Sequence, residues 1–504
     1  MSALFTASMA SFMTENVLTV LRVNAKDIFD SINDFSVILY MVACVFFILG
    51  IKKLGKTDTA RKGNFYSAIG MGIAVFAVLI SSDVLKYKIE AIEAIEIYAL
   101  AIVPIAAGSV IGLLWAKKVE MTGMPELVAL FNGFGGLASL LVALSQFSAY
   151  DGIKINKFPA LTLGLTIAIG GIAFTGSVIA WGKLSGKLFK GKVSLPNKNI
   201  INGILCGVGL VCILFYTFDS DGTLGTIGIV LTTLIFLALG VTMVITIGGG
   251  DMPVIISFLN ALSGLAAAFA GFPLGNPVLV VSGCLVGASG LILTLIMCKA
   301  MNRSFFSLLF KDFGAKKSGA AAAGGVQKEP RAMSIEDAYL ILEAAKNVVF
   351  IPGYGMAVAQ AQHAVKELSD VLEENGCEVN FAIHPVAGRM PGHMNVLLAE
   401  ANVPYEQLKT SDEMNPHMSE VDVAIVIGAN DVVNPAAIND ESSPLYGMPI
   451  VNAFEARTVF VLKRGKGTGF SGIENPLFTN DNTVMIYGDA KQTVSQLVVE
   501  FDND

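Results

Sequence analysis

Long apolar stretches without a charged residue constrain the fold of this chain most. A helix needs about 20 mostly apolar residues to cross a bilayer. Uncharged stretches of 17 residues or more lie at Phe35–Ile51, Asn64–Ser82, Ile97–Ala116, Leu127–Tyr150, Phe158–Gly182, Asn199–Phe218, Gly222–Gly250 and Met252–Cys298. As one helix the last stretch would be roughly 70 Å long, about twice a bilayer, and Gly271–Pro277 supplies a turn in its middle. We therefore predict an α-helical polytopic membrane domain of nine spans over residues 35–303.

The composition supports this class and excludes others. Of 504 residues, 54% are hydrophobic and 15% are charged, which is typical of a membrane protein. The net charge of −7 gives no reason to expect nucleic acid as a partner. Six cysteines without a C-x-x-C spacing predict neither a disulfide framework nor a metal site. Residues 1–34 lack the basic start and clean apolar core of a signal peptide, so we interpret them as a leader or interfacial segment.

Basic residues alternate between the loops and predict the orientation. One set of loops is rich in lysine and arginine, and the other set is poor in them. The rich set holds Lys52, Lys53, Lys56, Arg61, Lys62, Lys117, Lys118, Lys183, Lys187, Lys190, Lys192 and Lys198, and the poor set holds Lys86, Lys88, Lys154 and Lys157. The positive-inside rule makes the rich set cytoplasmic. We expect a multi-pass inner-membrane protein with its N-terminus outside and its C-terminal part in the cytoplasm.

A few polar residues in or beside the spans are candidates for proton movement. Asn132 and Asn260 can hold water but cannot titrate near neutral pH, so a carboxylate such as Asp251 or Glu126, or a partner's group, would have to titrate. Both carboxylates have an alternative interpretation as interfacial helix-end residues. All four histidines follow the last span, which excludes a histidine relay within this chain's membrane part.

The C-terminal part is predicted to form a separate α/β domain. We predict a linker over residues 304–332, because Gly314–Ala332 is small, polar and unpatterned. Apolar, β-rich runs follow at Val348–Ile351, Val379–Ile383, Val421–Ile427, Pro449–Val451, Thr458–Leu462 and Val484–Tyr487. Helical patterns lie between several of them. Six strands in this arrangement predict a Rossmann-like, doubly wound parallel sheet over residues 333–504.

The first predicted strand leads into a glycine turn. Gly353 and Gly355 stand at G-x-G spacing, and a helical pattern follows at Val358–Leu372. Strand, turn and helix are the parts of a dinucleotide-binding unit. The first glycine permits a tight turn, and the second lets the backbone approach a pyrophosphate at the helix N-terminus.

Basic residues after a later strand favour NADP over NAD. Lys463 and Arg464 precede Gly465, Gly467 and Gly469, an arrangement suited to a phosphate monoester. No acid follows the second strand, where an NAD site often places one for the ribose, and Arg389 lies just beyond. The alternative for the basic pair alone is a solvated strand end.

These segments resemble the β subunit of proton-translocating NAD(P) transhydrogenase over nearly the whole chain after residue 35. The likeness is most specific at Pro352–Ala361, His384–Ala401, Ile427–Ala437 and Lys463–Gly472, and in the membrane part at Glu120–Thr122, Met124–Val128, Phe174–Ser177, Asp251–Pro253 and Met297–Ser304. The resemblance implies a Rossmann-like domain that binds NADP(H) in a flipped orientation. It also implies hydride transfer to or from NAD(H) on a partner subunit, coupled to proton movement.

The resemblance also implies site residues. Those implied to meet or line NADP(H) are Gly353, Tyr354, Gly355, Met356, Ala357, Val358, Val386, Ala387, Gly388, Arg389, Met390, Pro391, Gly428, Ala429, Asn430, Asp431, Val432, Gly447, Met448, Lys463, Arg464, Gly465, Lys466, Gly467, Thr468, Gly469, Phe470, Asp489 and Ala490. Residues Lys463–Phe470 would form the 2′-phosphate and lid region, and Asp431 would lie near the nicotinamide and take part in coupling.

The chain departs from the family pattern at three positions, two in the expected NADP(H) site and one in the membrane part. Gly465 stands where serine is frequent, which removes one phosphate contact, and Phe470 stands where tyrosine is common. Asn132 stands where some members carry a histidine, so the titrating group of the proton path is open.

The single glycine fingerprint means that a second nucleotide domain must come from a partner. We expect one or more α subunits carrying the NAD(H) domain, a dimer of αβ units, and contact with membrane lipid. A rival class is a transporter or channel whose nucleotide domain only senses redox state, which would bind NADP(H) without turnover. A membrane-tethered dehydrogenase is a third class, but the sequence offers no catalytic His/Lys/Asp set for it.

Overall fold

The computed structural model describes residues 35–80, 91–120, 123–150, 155–186, 188, 193, 195–248, 251–301, 304–310, 329–390, 392–443, 445–465, 467, 469 and 471–502. They belong to two compact units, Met1–Lys118 with Leu274–Leu285 and Val119–Pro273 with Val286–Asp504. The expected leader at 1–34 lies outside the described residues. So do most of the expected linker and six of the lysines that set the orientation, Lys86, Lys88, Lys154, Lys187, Lys190 and Lys192.

Nine helices among the described residues are long and apolar enough to cross a membrane. They are α1 Phe35–Leu54, α2 Thr57–Ile80, α3 Ala91–Lys118, α4 Met124–Ala149, α5 Lys157–Leu184, α6 Lys198–Phe218, α7 Thr223–Ile245, α8 Met252–Gly271 and α9 Pro277–Ala300. Each predicted apolar stretch falls in one of them, and the longest divides into α8 and α9 at the predicted turn. The prediction of apolar helices of membrane-span length is therefore confirmed, whereas the orientation stays a prediction.

In the first unit, small residues let α1 and α2 approach closely. A Cβ added at Gly63 would lie 2.8 Å from the Gly50 carbonyl oxygen, and one at Gly70 would lie 3.0 Å from the Phe46 Cβ. Close helix contact through small residues is the usual packing in lipid, where no hydrophobic force drives two helices together.

In the second unit, α5 is the central helix of a bundle. It packs against α4, α6, α7 and α8, and α4 also packs against α8. A Cβ added at Gly170 of α5 would lie 2.9 Å from the Gly136 carbonyl oxygen of α4. The outward faces of α6 and α7 expose large apolar side chains such as Ile204 and Leu234, as helices that face lipid do.

The C-terminal part of the second unit contains six parallel strands, β1 Asn347–Pro352, β2 Glu378–Ile383, β3 Leu408–Thr410, β4 Val423–Ile427, β5 Thr458–Lys463 and β6 Thr483–Tyr487. Their order in the sheet is β3-β2-β1-β4-β5-β6. The parallel six-stranded sheet is thus confirmed. Because the chain starts at β1, moves outward to β3 and then returns to β4, the order reverses between β1 and β4. That is the place where open parallel sheets form a crevice at the strand ends.

One predicted strand is wrong, and one strand was missed. Pro449–Val451 lies outside the sheet, with Pro449 exposed and Ile450 and Val451 buried, because loop contacts occupy its backbone groups. The Ile450 carbonyl accepts a hydrogen bond from Asn415 Nδ2 at 2.8 Å, and the Val451 N–H donates to the Val432 carbonyl at 2.9 Å. The sixth strand is instead β3, a three-residue edge strand with the sequence Leu-Lys-Thr. Its half-exposed, partly polar side chains give no apolar signal.

One short helix, α10 Phe305–Phe310, lies within the predicted linker, and its Leu308 packs in the apolar cluster of the helix bundle. The sheet region contains the other short helices, α11 Ile335–Glu343, α12 Tyr354–Ala359, α13 Gln362–Glu374, α14 His393–Glu400, α15 Ser411–Met414, α16 Ala436–Asn439 and α17 Ala490–Asp502. The helix predicted over Val358–Leu372 is divided. Gln360 adopts a left-handed conformation with φ of 50°, which ends α12 before α13 begins. Apolar clusters fill both faces of the sheet, one around Phe350 and Phe381 and one around Val349 and Val426.

Candidate functional site

The carboxyl ends of β1, β4 and β5 are joined by backbone hydrogen bonds. The Gly353 N–H donates to the Ile427 carbonyl at 2.8 Å, and the Gly355 N–H donates to the Gly428 carbonyl at 2.9 Å. The Gly428 N–H donates in turn to the Leu462 carbonyl at 3.2 Å. The turn after β1 and the loop after β4 therefore form one rigid edge at the point where the strand order reverses.

The glycines at this edge are required by the contact between the two loops. A Cβ added at Gly353 would lie 2.4 Å from the Ala429 Cα, and one at Gly355 would lie 2.6 Å from the Gly428 Cα. Gly428 has a φ of +63°, a conformation that other residues rarely adopt. The sequence argument explained the G-x-G spacing by the turn and by a pyrophosphate. The structure adds a third reason, the packing of this turn on Gly428.

Two buried histidines organise the loop after β2. His384 Nε2 lies 2.7 Å from the Pro449 carbonyl, and His384 Nδ1 accepts a hydrogen bond from the Val386 N–H at 3.3 Å. His393 Nδ1 accepts from the Arg389 N–H at 2.9 Å. Gly388, with a φ of +111°, passes so close to His393 that an added Cβ would lie 2.5 Å from the His393 Cβ. The sequence analysis did not predict that these histidines hold the loop in place. The available signal was that one histidine stands on each side of the loop.

The protonation of both histidines follows from their environment. Burial lowers the pKa of His384. Burial, together with the positive charge of Arg389, lowers the pKa of His393 to about 4. Each ring is therefore neutral near pH 7, with the proton on Nε2, since Nδ1 accepts a backbone hydrogen bond in both cases.

The same loop contacts the end of a bundle helix. The Arg389 Cζ lies 4.5 Å from the centre of the Tyr354 ring, and Arg389 Nη1 donates to the Leu184 carbonyl at the end of α5 at 3.4 Å. Val386 packs against the apolar cluster that includes Ile179 and Leu184. Burial raises the pKa of Tyr354, the Arg389 charge opposes this, and Glu126 adds to the rise. The structure thus brings three residues expected at a nucleotide site next to the helix bundle.

The glycine-rich segment after β5 lies against the loop after β4. Asp431 Oδ1 accepts from the Ser471 hydroxyl at 2.7 Å, and Asp431 Oδ2 accepts from the Ser471 N–H at 2.9 Å. Lys463 Nζ donates to the Gly467 carbonyl and lies 4.6 Å from the centre of the Phe478 ring. Burial lowers the pKa of Lys463, and the nearby negative charge of Asp431 opposes this shift. Arg464 is exposed.

The remaining predicted nucleotide residues divide by burial. Met356, Ala357, Ala387, Ala429, Met448 and Ala490 are buried and mainly pack the interior, whereas Val358 and Gly447 are exposed and Gly388, Met390, Asn430, Val432 and Asp489 are partly exposed. The Asp489 carboxylate accepts from the Lys491 N–H at 3.1 Å at the start of α17. Pro391, Lys466, Thr468 and Phe470 lie outside the described residues.

Among the membrane candidates, Asn132 links three helices. Its side-chain Nδ2 donates to the Ser177 hydroxyl at 3.0 Å, and its backbone carbonyl accepts from the Ser263 hydroxyl at 3.2 Å. These residues lie on α4, α5 and α8. Asn260 is half-buried on α8, one turn before Ser263.

The two membrane carboxylates lie at helix starts. Glu126 is in the first turn of α4, and the buried Asp251 immediately precedes α8. A place at a helix start is compatible with both interpretations, so the role of each carboxylate stays a prediction. Among the residues that the structure describes, no three His, Cys, Asp or Glu side chains are grouped to hold a metal ion.

Comparison with known proteins adds an independent finding. A family model described as NAD(P) transhydrogenase beta subunit matches residues 36–500. The NAD(P) transhydrogenase subunit beta of Rhodospirillum rubrum is 46% identical over 467 residues, which cover 91% of this chain and 97% of the relative. The protein of the same name from a named strain of that species has the same identity and coverage.

Proposed function

The chain belongs to the NAD(P) transhydrogenase β-subunit family, and from this we propose that it carries the NADP(H) site of a proton-translocating membrane transhydrogenase. In this proposal, hydride passes between NAD(H) on a partner α subunit and NADP(H) on this chain. The transfer is coupled to proton movement through the apolar helices. A β subunit has an α partner, and we further propose a dimer of αβ units in the inner membrane, with the sheet on the cytoplasmic side.

The observation that carries the proposal is the edge where β1, β4 and β5 end. The strand order is one that dinucleotide-binding domains use, and their ligands lie at the point where the order reverses. The Gly353 turn, the Gly428 loop and the glycine-rich segment after β5 all meet there. We therefore propose that residues 333–504 form a Rossmann-like NADP(H)-binding domain.

The residues at the end of β5 fit a 2′-phosphate. Lys463 and Arg464 supply positive charge, and a Cβ at Gly465 or Gly467 would meet no described atom within 4 Å. An open glycine backbone beside two cations suits a phosphate monoester. The half-buried ammonium of Lys463, already held by its own segment, would provide a preorganised charge, and the exposed Arg464 would provide a mobile one.

When bound, the nicotinamide supplies the carbon that donates or accepts the hydride. This chain's residues bind and orient it, and no side chain has to act as an acid or base in the transfer itself. The rigid edge at Gly353, Gly355 and Gly428 would fix the nucleotide relative to the sheet. Asp431, at the start of the loop after β4, is the acid that we assign to the nicotinamide side and to coupling.

The contact between the β2 loop and α5 supports the coupling. Both Val386 and Arg389 belong to the proposed nucleotide site. Arg389 also binds the end of α5, and Val386 packs against the apolar cluster of the bundle. On α5, Ser177 binds Asn132, so a displacement of the β2 loop would reach the polar side chains of the bundle through one helix. We propose Asn132, Asn260, Asp251 and Glu126 as candidates for the proton path.

Reconstitution tests this function. The chain and its α subunit are placed in lipid vesicles, and NADPH-dependent reduction of NAD⁺ is followed together with the internal pH. We expect hydride transfer only when both subunits are present, and a pH change that stops when the membrane is made permeable to protons. NADP(H) binding without turnover would instead favour a redox-sensing transporter, and robust turnover by the lone chain would show a second nucleotide site on it.

A further inference from the structure

The segment that follows β5 is tied to the loop after β4 at three places. Asn475 Nδ2 donates to the Asn430 carbonyl at 3.0 Å, and Asn434 Nδ2 donates to the Glu474 carbonyl at 3.2 Å. Ser471 makes the third tie, in which its hydroxyl and its N–H each donate to one oxygen of the Asp431 carboxylate. The three ties lie within five residues of the chain, so together they determine where the segment leaves the β4 loop.

The ties differ in how easily water can replace them. Asn434 and Asn475 are 0% and 6% exposed, and breaking their hydrogen bonds would leave buried amide groups without partners. Ser471 is exposed and Asp431 is half-buried, so water can satisfy both groups after they separate. Residues 474 and 475 therefore form the fixed end of the segment. The tie at Ser471 is the one that can open while the fold stays intact.

Ser471 also sets the position of the residues before it. A Cβ added at Gly469 would lie 2.4 Å from Asp431 Oδ1, so the backbone passes directly over the carboxylate. Further back, Gly467 accepts a hydrogen bond from Lys463 Nζ. The Asp431–Ser471 pair thus holds a stretch of backbone that ends at the cation we assign to the 2′-phosphate.

We propose that Ser471 is a positioning residue for NADP(H). By binding Asp431, it holds the described residues Gly467, Gly469 and Gly472 of the glycine-rich segment against the β4 loop, and this slows dissociation of the nucleotide. The inference rests on the proposed function and deepens it, because it names the contact that controls how long NADP(H) stays bound. Hydrogen bonds to a carboxylate are stronger than those between neutral groups, which suits a tie that must hold at an exposed position.

The test measures NADPH dissociation from the full chain assembled with its α subunit in detergent micelles. The complex is loaded with NADPH and mixed with excess NADP⁺, and the loss of bound-NADPH fluorescence gives the rate. For Ser471→Ala we expect dissociation about 3- to 10-fold faster, as for the loss of one exposed hydrogen bond to a charged group. Ser471→Thr, which keeps the hydroxyl, should restore a rate close to that of the parent.

A second readout separates positioning from general loosening of the domain. The KM for NADPH should rise in Ser471→Ala, whereas the maximal rate of hydride transfer should not fall. The effect should also be non-additive with Asp431→Asn, because both changes act on the hydrogen bond between the Ser471 hydroxyl and the Asp431 carboxylate. Additive effects would assign the two residues separate roles and overturn the proposal.

Ser442 provides a matched control. Its N–H and hydroxyl both bind Asp440, at 2.9 and 2.6 Å, so the chemistry is the same, but this pair is confined to one exposed loop. Ser442→Ala should leave NADPH dissociation unchanged. An equal rate for Ser471→Ala and the parent, or an equal increase in Ser442→Ala, would overturn the role of Ser471. A parent complex that binds no NADPH would overturn the proposed function as well.

Discussion

The helix bundle and the sheet region both depend on glycine for close contact, but in physically different ways. In the bundle, Gly170 and Gly136 let α5 and α4 approach, and both lie in regular helical backbone. In the sheet region, Gly428 adopts a positive φ, and the backbone atoms of Gly428 and Gly355 pack directly against each other. A methyl group at Gly136 or Gly170 would force the two helices apart, because it would lie within 3 Å of backbone atoms of the facing helix. At Gly428 the contact is closer, and the positive φ adds strain that the bundle glycines do not have. Substitution should therefore be costly in both regions and most costly at Gly428.

The two regions also satisfy their polar groups differently. Bundle hydroxyls such as Thr162, Thr166 and Thr217 mostly bond to carbonyls one turn earlier in their own helix. In the sheet region, side chains such as Asn475 and His384 bond to loops far away in sequence. Local bonding places few hydrogen bonds between helices, whereas long-range bonding fixes the loops. This contrast suits the coupling that we propose, in which the helices would shift while the edge of the sheet keeps its shape.

The largest effect should come from a methyl group at the rigid edge. In Gly428→Ala, an added Cβ would lie 2.3 Å from the Gly355 Cα at a residue with positive φ. We expect NADPH affinity to fall by more than ~100-fold and the sheet region to lose about 2–4 kcal/mol of stability. Titration and scanning calorimetry check this. Gly376→Ala is the control, because Gly376 also has a positive φ (+82°) but lies outside the proposed site, and its Cβ would meet no described atom within 4 Å. It should bind NADPH as the parent does. Equal behaviour of the two variants would show that the edge is not rigid.

Removal of the basic pair should have the next largest effect. Lys463→Ala combined with Arg464→Ala should reduce a preference for NADPH over NADH of at least ~100-fold to less than ~10-fold, since charge-assisted contacts to one phosphate are its source. The two affinities are compared by titration in the parent and the double variant. Lys409→Ala, a change on the opposite edge strand β3, is the control. An unchanged ratio would mean that the pair is a solvated strand end.

Changes to the polar groups of each region should affect coupling at a smaller scale. We expect Asp431→Asn to lower proton-linked transhydrogenation in vesicles by more than ~10-fold while NADP(H) still binds, because the charge that responds to the nucleotide is lost. Asn132→Leu should have a similar effect, because it removes the side-chain hydrogen bond to Ser177 and replaces a polar group inside the bundle with an apolar one. Hydride transfer and internal pH are followed together. Parent rates of proton movement in both variants would contradict the coupling role.

The smallest effect concerns acid stability of the sheet region. The pKa of His393 is lowered to about 4 from an ordinary value of 6.5, so between these values the unfolded chain binds more protons than the folded one. Stability should therefore fall as the pH drops from 6.5 toward 4. His393→Gln keeps an acceptor for the Arg389 N–H but cannot titrate, and it should weaken this pH dependence. Thermal unfolding of the parent and of His393→Gln is measured across this pH range. An identical dependence of stability on pH in the two proteins would contradict the lowered pKa of His393.

The sequence predicted regular elements well where one physical pattern dominates. Apolar length alone identified the long helices, and buried β-rich runs identified five of the six strands. The edge strand β3 escaped because half-exposed residues such as Lys409 leave no apolar signal, and Pro449–Val451 was misassigned because buried loops can be apolar too.

Contacts between distant segments were harder to predict from the residues. The spacing of Gly353 and Gly355 indicated a nucleotide turn, but not that Gly428 packs against it. Nothing in the pattern of the β2 loop places Arg389 at the end of α5. The tie between Asp431 and Ser471 joins loops 40 residues apart. Such pairings depend on how the elements pack, which local periodicity does not contain.

The most direct test of the central claim is equilibrium binding of NADPH and NADH to the purified full chain. If the edge formed by β1, β4 and β5 is an NADP(H) site, one NADPH should bind per chain. The chain should prefer NADPH over NADH by at least ~100-fold, or about 2.7 kcal/mol. Equal affinities, or no binding of either nucleotide, would contradict the claim.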